Sequence, residues 1–230
     1  MAIDRTASVE GEDKTLPYGS RTPATDFGSP TLPEYSKSLK GSEVLKYNPE
    51  EARKRWAQAN RISDWGKASF NLVLDAEAGA QQRFLGTVLD RSIEKVLKIG
   101  VVVQKVPATE FEEHIAQPTF KSSYLVAWAP SYRSLYDLLA PLYGSAAADG
   151  RGWNYGDYKS KEFDAKLAES ARADSNDTRI DALREAEEIL LRDLPAVPLY
   201  YLNVYAVGSK DLKNIDFNWR GSLEYRLITK

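Results

Sequence analysis

The sequence predicts an α/β fold with a parallel βαβαβ core and additional helices. Three observations carry this. Apolar β-type runs at 70–74, 101–103 and 124–128 alternate with helical patterns. The connections between them are short, as in a right-handed, doubly wound unit. The second half then switches to a 3.6-residue rhythm.

Residues 6–47 read as loop, with Pro17, Pro23, Pro30 and Pro33 among Gly, Ser and Thr. A helix starts with Asn48 as N-cap and Pro49 at its first position, runs to about Asn60 and buries Trp56. The spacing of Phe84, Leu85, Val88, Leu89, Ile93, Val96 and Leu97 predicts an amphipathic helix over 80–98, stopped by Gly100. Val101-Val102-Val103 reads as a buried strand. Thr109 and Glu112 fit a capping box opening a helix to about Ala116. Ser134 is placed to cap a helix through Tyr143, and a Gly/Ala/Asp-rich loop covers 144–157. Ser160 starts a helix carrying Phe163, Leu167 and Ala171. Asp177 starts another, carrying Ile180, Leu183, Ala186, Leu190 and Leu191, which Pro195 and Pro198 end. Strands are expected over Leu199–Val207 and Ile215–Trp219.

Composition narrows the function classes. The net charge of −2 argues against nucleic acid as a partner, because phosphate neutralisation needs a basic face. The run Arg53-Lys54-Arg55 reads as a solvated helix face. Without cysteine there is no disulfide, thiol catalysis or Cys-ligated zinc. No apolar run is long enough to insert into a membrane. The single histidine, His114, sits four residues after Glu110, which offers two ligands for a metal and no recognisable third. No metal or cofactor is expected. No G-x-S-x-G elbow is present, Gly150-Arg151-Gly152 lacks the spacing of a phosphate loop, and Asn176-Asp177-Thr178 reads as a polar helix entry. Glu185, Glu187 and Glu188 read as surface charges of an amphipathic helix.

Thirteen Tyr and five Trp are many for 230 residues, and several converge after the third strand. Ligands of parallel sheets bind beyond the carboxyl ends of the strands. That position points to Trp128, Ser131, Tyr132 and Tyr136, with Trp153, Tyr155 and Tyr158 further on. Aromatic faces there would cover apolar or sugar-like surface, while serines and backbone groups fix polar ends. Trp128 and Tyr136 serve equally well as core anchors of the following helix, and position alone leaves both readings open.

Several segments, in order, resemble the family 5 bacterial extracellular solute-binding proteins of oligopeptide, dipeptide and nickel importers. They are Ala2-Ile3-Asp4-Arg5; Arg21 to Phe27; Tyr47-Asn48-Pro49-Glu50-Glu51-Ala52; Ala127-Trp128 through Pro141-Leu142-Tyr143; Gly156-Asp157-Tyr158 with Glu162-Phe163-Asp164; Ala186 to Leu191; Leu194 to Tyr200; and Ile215 to Gly221. The resemblance implies a lobe of the type II periplasmic-binding-protein fold. Residues 1–200 would form the second ligand-binding lobe, and residues 201–230 a return segment packing on a first lobe upstream. It implies capture of a peptide or related small solute, with no catalysis, and delivery to membrane permease subunits of an ABC importer. It also implies an extracytoplasmic location, with a signal peptide and lipid anchor encoded upstream. One departure matters: peptide binders of the family often carry Asp where this chain has Ser131, so a free α-amino anchor is not expected at that place. Arg133 replaces a usual Pro and could favour an acidic ligand. The alternatives are a ligand-sensing domain of a transcriptional or signalling protein and, more remotely, a carboxylate-dependent hydrolase.

Overall fold

A computed structural model of the chain describes residues 1–6, 21–63, 70–77 and 80–230, with the backbone alone for 80–85. In chain order the elements are β1 (Arg21–Pro23), α1 (Pro49–Ile62), β2 (Phe70–Asp75), α2 (Ala80–Leu97), β3 (Val101–Val106), α3 (Ala108–Ile115), β4 (Ser123–Tyr124), α4 (Tyr136–Tyr143), α5 (Lys161–Arg172), α6 (Asn176–Asp193) and β5 (Tyr200–Leu202).

The sheet is parallel, in the order β3-β2-β4, as the βαβαβ reading expects. Its centre is β2, where Leu72, Val73 and Leu74 are all buried. Alternation sends Val73 to one face, against Val106, Phe111 and Ile115. Leu72 and Leu74 go to the other, against Leu89 of α2. Gly86 gives α2 room there: a Cβ would lie 2.8 Å from Leu74 Cδ1, so a larger residue would push the buried Leu74 side chain aside.

Two of the expected strands are shorter or more exposed than their sequences suggest. β3 lies at the sheet edge, leaving Val102 52% and Val103 38% exposed rather than buried. The third strand pairs only at Ser123 and Tyr124, and the chain then leaves the sheet. The helix starts also differ in places. Asn48 caps α1 as expected, its side chain accepting from Glu51 N at 3.0 Å, and Ser160 caps α5 through Phe163 N. Trp56 is half-buried, and Ala52 is the residue that α1 buries. No capping box forms at Thr109: α3 begins one residue earlier, behind Pro107. The cap of α6 is Ser175, two residues before Asp177. Lys98, with φ 59°, and not Gly100, takes the left-handed turn after α2. Of the buried stripe of α2, Leu89, Ile93 and Val96 are seen; the Phe84 and Leu85 side chains lie outside the described residues.

The larger core belongs to the helices. Leu135, Leu138 and Leu139 meet Phe163 and Leu167 of α5 and Leu183, Ala186, Leu190 and Leu191 of α6. Phe27, Leu32, Leu39 and Leu45, from the proline-rich segment, complete it. Its described part, residues 21–47, is therefore ordered by packing and not by periodicity. It also contains β1, which the sequence reading took for loop and which pairs antiparallel with β5. Of the expected 199–207 strand only Tyr200–Leu202 forms a ladder, and Leu199 O accepts from Ala24 N at 3.2 Å just before it; the 215–219 segment contributes an isolated bridge between Phe217 and Leu223.

Acidic groups join these parts. Glu34 is fully buried and receives Arg179 at 2.5 Å, Ser134 Oγ at 3.1 Å and Leu135 N at 3.2 Å. Arg184 donates to its carbonyl at 2.9 Å. Glu187, expected on the surface, is also fully buried and accepts from Gly28 N at 2.6 Å. Its place follows from spacing: Leu183, Glu187, Leu190 and Leu191 share one helical stripe, which faces the core. Glu185 and Glu188 behave as expected, at the surface with Lys166 and Lys40 N.

Glu34→Ala strands Arg179, Ser134 and Leu135 N together. Removing one partner of a buried ion pair is strongly destabilising, and the partial exposure of Arg179 places this case at the lower end, about 3 kcal/mol. Urea denaturation of the variant against the parent chain measures it.

Candidate functional site

The loop 125–135 leaves the carboxyl end of β4 and ends at the helical core. It is held from behind. Asp137, in the first turn of α4, accepts from Ser131 N and, at 3.4 Å, from Tyr132 N. Ser134 Oγ accepts from Tyr136 N at 3.2 Å, so it stabilises the helix entry from two residues away instead of acting as a regular N-cap. Arg133 Nε donates to Thr31 O at 3.0 Å, tying the loop to the proline-rich segment. Its guanidinium is thus anchored on one edge rather than free at the rim.

The second aromatic group sits on 144–158. Asn154 is buried and bridges its own loop: Nδ2 donates to Gly144 O at 3.1 Å and Tyr158 O at 2.8 Å, and Oδ1 accepts from Tyr158 N at 3.1 Å. This clamp presents Trp153 to Trp128, with ring centroids 4.9 Å apart and planes tilted by 59°. Both indoles keep solvent-facing surface, 38% for Trp128 and 47% for Trp153. The pair is therefore an exposed aromatic surface and not a core contact, so Trp128 is not a buried anchor of α4.

The other expected site residues divide. Tyr155 packs edge-on against Tyr124 at 6.3 Å, in a row that continues through Phe120 to His114. Burial first, and the Glu112 charge second, push the Tyr155 hydroxyl up. Tyr132 and Tyr136 line a groove of about 430 Å3 with Arg133, Ser134 and Arg179. Neither tryptophan lines it. Burial and then the Asp137 carboxylate raise the Tyr132 hydroxyl, which stays a donor at neutral pH. Tyr158 is committed elsewhere: its hydroxyl donates to Asp193 at 2.6 Å, its ring meets Phe163, and burial with that bond pushes it up to about 12. Ser131 keeps an exposed side chain, with its N–H taken by Asp137. The sequence reading missed Asp137 and Asn154, the two residues that shape this aromatic surface. Asp137 carried a signal, being the acidic residue in the first turn of an expected helix; Asn154 carried none.

Among the described residues, no three of His, Asp and Glu converge on a point that a metal could occupy, and no helix is long and apolar enough to cross a membrane. The arrangement can stack and hydrogen-bond a ligand.

No family model matches the chain. The dipeptide-binding protein DppE of Bacillus subtilis (strain 168) is 20% identical over 219 residues, which cover 94% of this chain and 38% of that protein. Among solved structures, HbpA2 from Haemophilus parasuis matches with a TM-score of 0.78 at 19% identity, over 99% of this chain and 43% of that one. NikZ from Campylobacter jejuni, in complex with Ni(L-His), matches with a TM-score of 0.74 at 19% identity, over 100% and 47%. The chain shares the fold of the family 5 solute-binding proteins. It spans less than half the length of these relatives. The fold resemblance read from the motif order at the sequence level holds on the structure, and with it the type II lobe architecture.

Two measurements check the geometry. The tilted indole pair gives an exciton couplet in near- and far-ultraviolet circular dichroism, and Trp153→Phe removes it. Asp137→Ala frees the N–H groups of Ser131 and Tyr132; by analogy with the loss of a helix cap it costs about 1 kcal/mol and speeds amide exchange at those two residues first.

Proposed function

We propose that this chain forms one wall of the ligand cleft of an ABC-importer substrate-binding component, which captures a peptide or related small solute. The observation that carries the reading is the exposed Trp128–Trp153 pair, held where the chain leaves the carboxyl end of the parallel sheet. That is where ligands of such sheets bind. The relatives support the ligand class: one is named for dipeptides and another holds Ni(L-His).

In this reading Trp128 and Trp153 give the apolar face. Tyr132 and the Ser131 hydroxyl give hydrogen bonds, with Tyr136 and Tyr155 at the margins. Tyr158 acts behind the site by holding its loop. The chain does no covalent chemistry. Residues 1–200 form the second lobe. Residues 201–230 are a return segment that packs on a first lobe; Leu202, Val204, Tyr205 and Val207 are exposed along it, as an apolar strip meant for a partner surface would be. Ligand bridging two lobes stabilises a closed state through contacts to both. The protein then works outside the cytoplasm and hands its ligand to permease subunits in the membrane.

Ser131 adds a specificity. Without a carboxylate side chain at that place, the ligand's free amino group has no charge-assisted partner there. Such a bond is worth roughly 1.5–3 kcal/mol, about tenfold to a hundredfold in affinity.

Titration calorimetry tests these statements. A single wall binds weakly, so this chain alone holds dipeptides or nickel–histidine with a Kd above about 1 μM; a tighter complex contradicts the one-wall reading. In a longer protein containing both lobes, Trp128→Ala weakens binding about tenfold or more. There, a peptide and its N-acetylated twin bind within about tenfold of each other; a larger preference for the free amine removes the Ser131 argument.

A further inference from the structure

Two buried acids play no part in the cleft. Asp26 follows β1 and is 1% exposed; Glu187 lies on α6 and is 0% exposed. Both are served by one donor, the N–H of Gly28, which lies 2.6 Å from Glu187 Oε1 and also acts on the Asp26 carboxylate. The Phe27 N–H helps Glu187, and the Tyr201 hydroxyl on β5 donates to Asp26 Oδ1. Asp26 Oδ2 and Glu187 Oε2, one oxygen from each acid, are buried with no hydrogen-bond partner.

The surrounding charges do not balance the pair. From the proline-rich segment comes Glu34, a third acid, which takes Arg179 for itself. From α6, Arg184 is turned to the Glu34 carbonyl. Arg5, which faces Tyr201, donates to Leu45 O. Tyr143 of α4, edge-on to Phe27, is held neutral by burial, as is Tyr201. Among the described residues no lysine or arginine forms an ion pair with Asp26 or Glu187. Two bare carboxylates side by side in such a place would cost several kcal/mol each.

We propose that Asp26 and Glu187 hold one proton between them, forming a buried proton-binding site that fastens the segment after β1 to α6. A proton on either acid turns a buried, partnerless carboxylate oxygen into a neutral O–H and removes one of the two charges. Burial, and for Glu187 also the Asp26 charge, raises both groups, to about 6 for Asp26 and about 8 for Glu187. In the unfolded chain both ionise in the ordinary carboxylate range. The native state therefore binds more protons than the unfolded state between about pH 4 and pH 8. This contribution to stability is complete on the acid side and is lost as pH rises through about 8. That is opposite to the usual effect of a salt-bridged carboxylate.

Melting curves of the 230-residue chain over about pH 5 to 9.5 test the site. The wild-type melting temperature is expected to fall by at least about 5 °C across that range, and Glu187→Gln, which carries its own amide donor, to flatten most of the fall. A flat wild-type profile, or an unchanged slope in the variant, overturns the proposal. Should Glu187→Gln fail to fold, infrared spectroscopy of the wild type decides. A protonated-carboxyl C=O band present at about pH 7 and lost by about pH 9.5 supports the shared proton, and its absence at about pH 7 refutes it.

Discussion

The buried carboxylate of Glu34 is the constraint on which the rest of the structure depends. It receives the end of the aromatic loop through Ser134 and Leu135, and α6 through Arg179. Its own backbone carbonyl receives Arg184. Three stretches far apart in the chain thus meet at one residue. An ion pair of this kind contributes little net stability, because desolvation offsets the Coulomb attraction. Its effect is on which arrangement is stable. A shifted loop or a helix in another register would leave a charge buried and unpaired, and such states are excluded by several kcal/mol.

The site follows from this frame and from the sheet. The parallel strands set where the loop starts, and Glu34 sets where it ends. Between those points Asp137 holds the backbone and the Thr31 carbonyl holds the Arg133 side chain. Asn154 does the same for the facing loop by closing on Gly144 and Tyr158. The two indoles are thus presented by loops that are each pinned by side chains nearby, Asp137 on one and Asn154 on the other. A ligand meeting them need not order the loops as it binds, which lowers the entropy cost of capture.

Much of the fold was legible in the sequence, for physical reasons that differ between elements. The apolar stripes of α5 and α6, the Asn48 and Ser160 caps and the central strand are local signals, and they appear where expected. The edge character of β3 was not legible, since Val101-Val102-Val103 looks the same in a central strand. Nor was β1: three residues, the last of them a proline, carry no period, and their pairing with β5 is long-range. The exposed aromatic residues were picked out by their position after the strand, yet Tyr158 shows the limit of that argument. It lies in the right stretch of chain but its hydroxyl is spent on Asp193. Glu187 was misread because charge was given more weight than phase; its place on the Leu183–Leu190 stripe was visible. Glu34, beside Pro33 in a loop, offered no local clue.

The residues from Trp128 to Arg133 belong to none of the packed clusters of the described core. Most of their side chains are exposed, and the backbone is held at Ser131 and Tyr132 by Asp137. Exchanges in this stretch therefore change what the surface recognises at little cost to folding, the usual effect being within about 0.5 kcal/mol away from buried features. The structure thus separates a packed frame from an exposed face. On the proposed function, exchanges at these six positions would alter ligand preference while Glu34 and Glu187 still hold the frame.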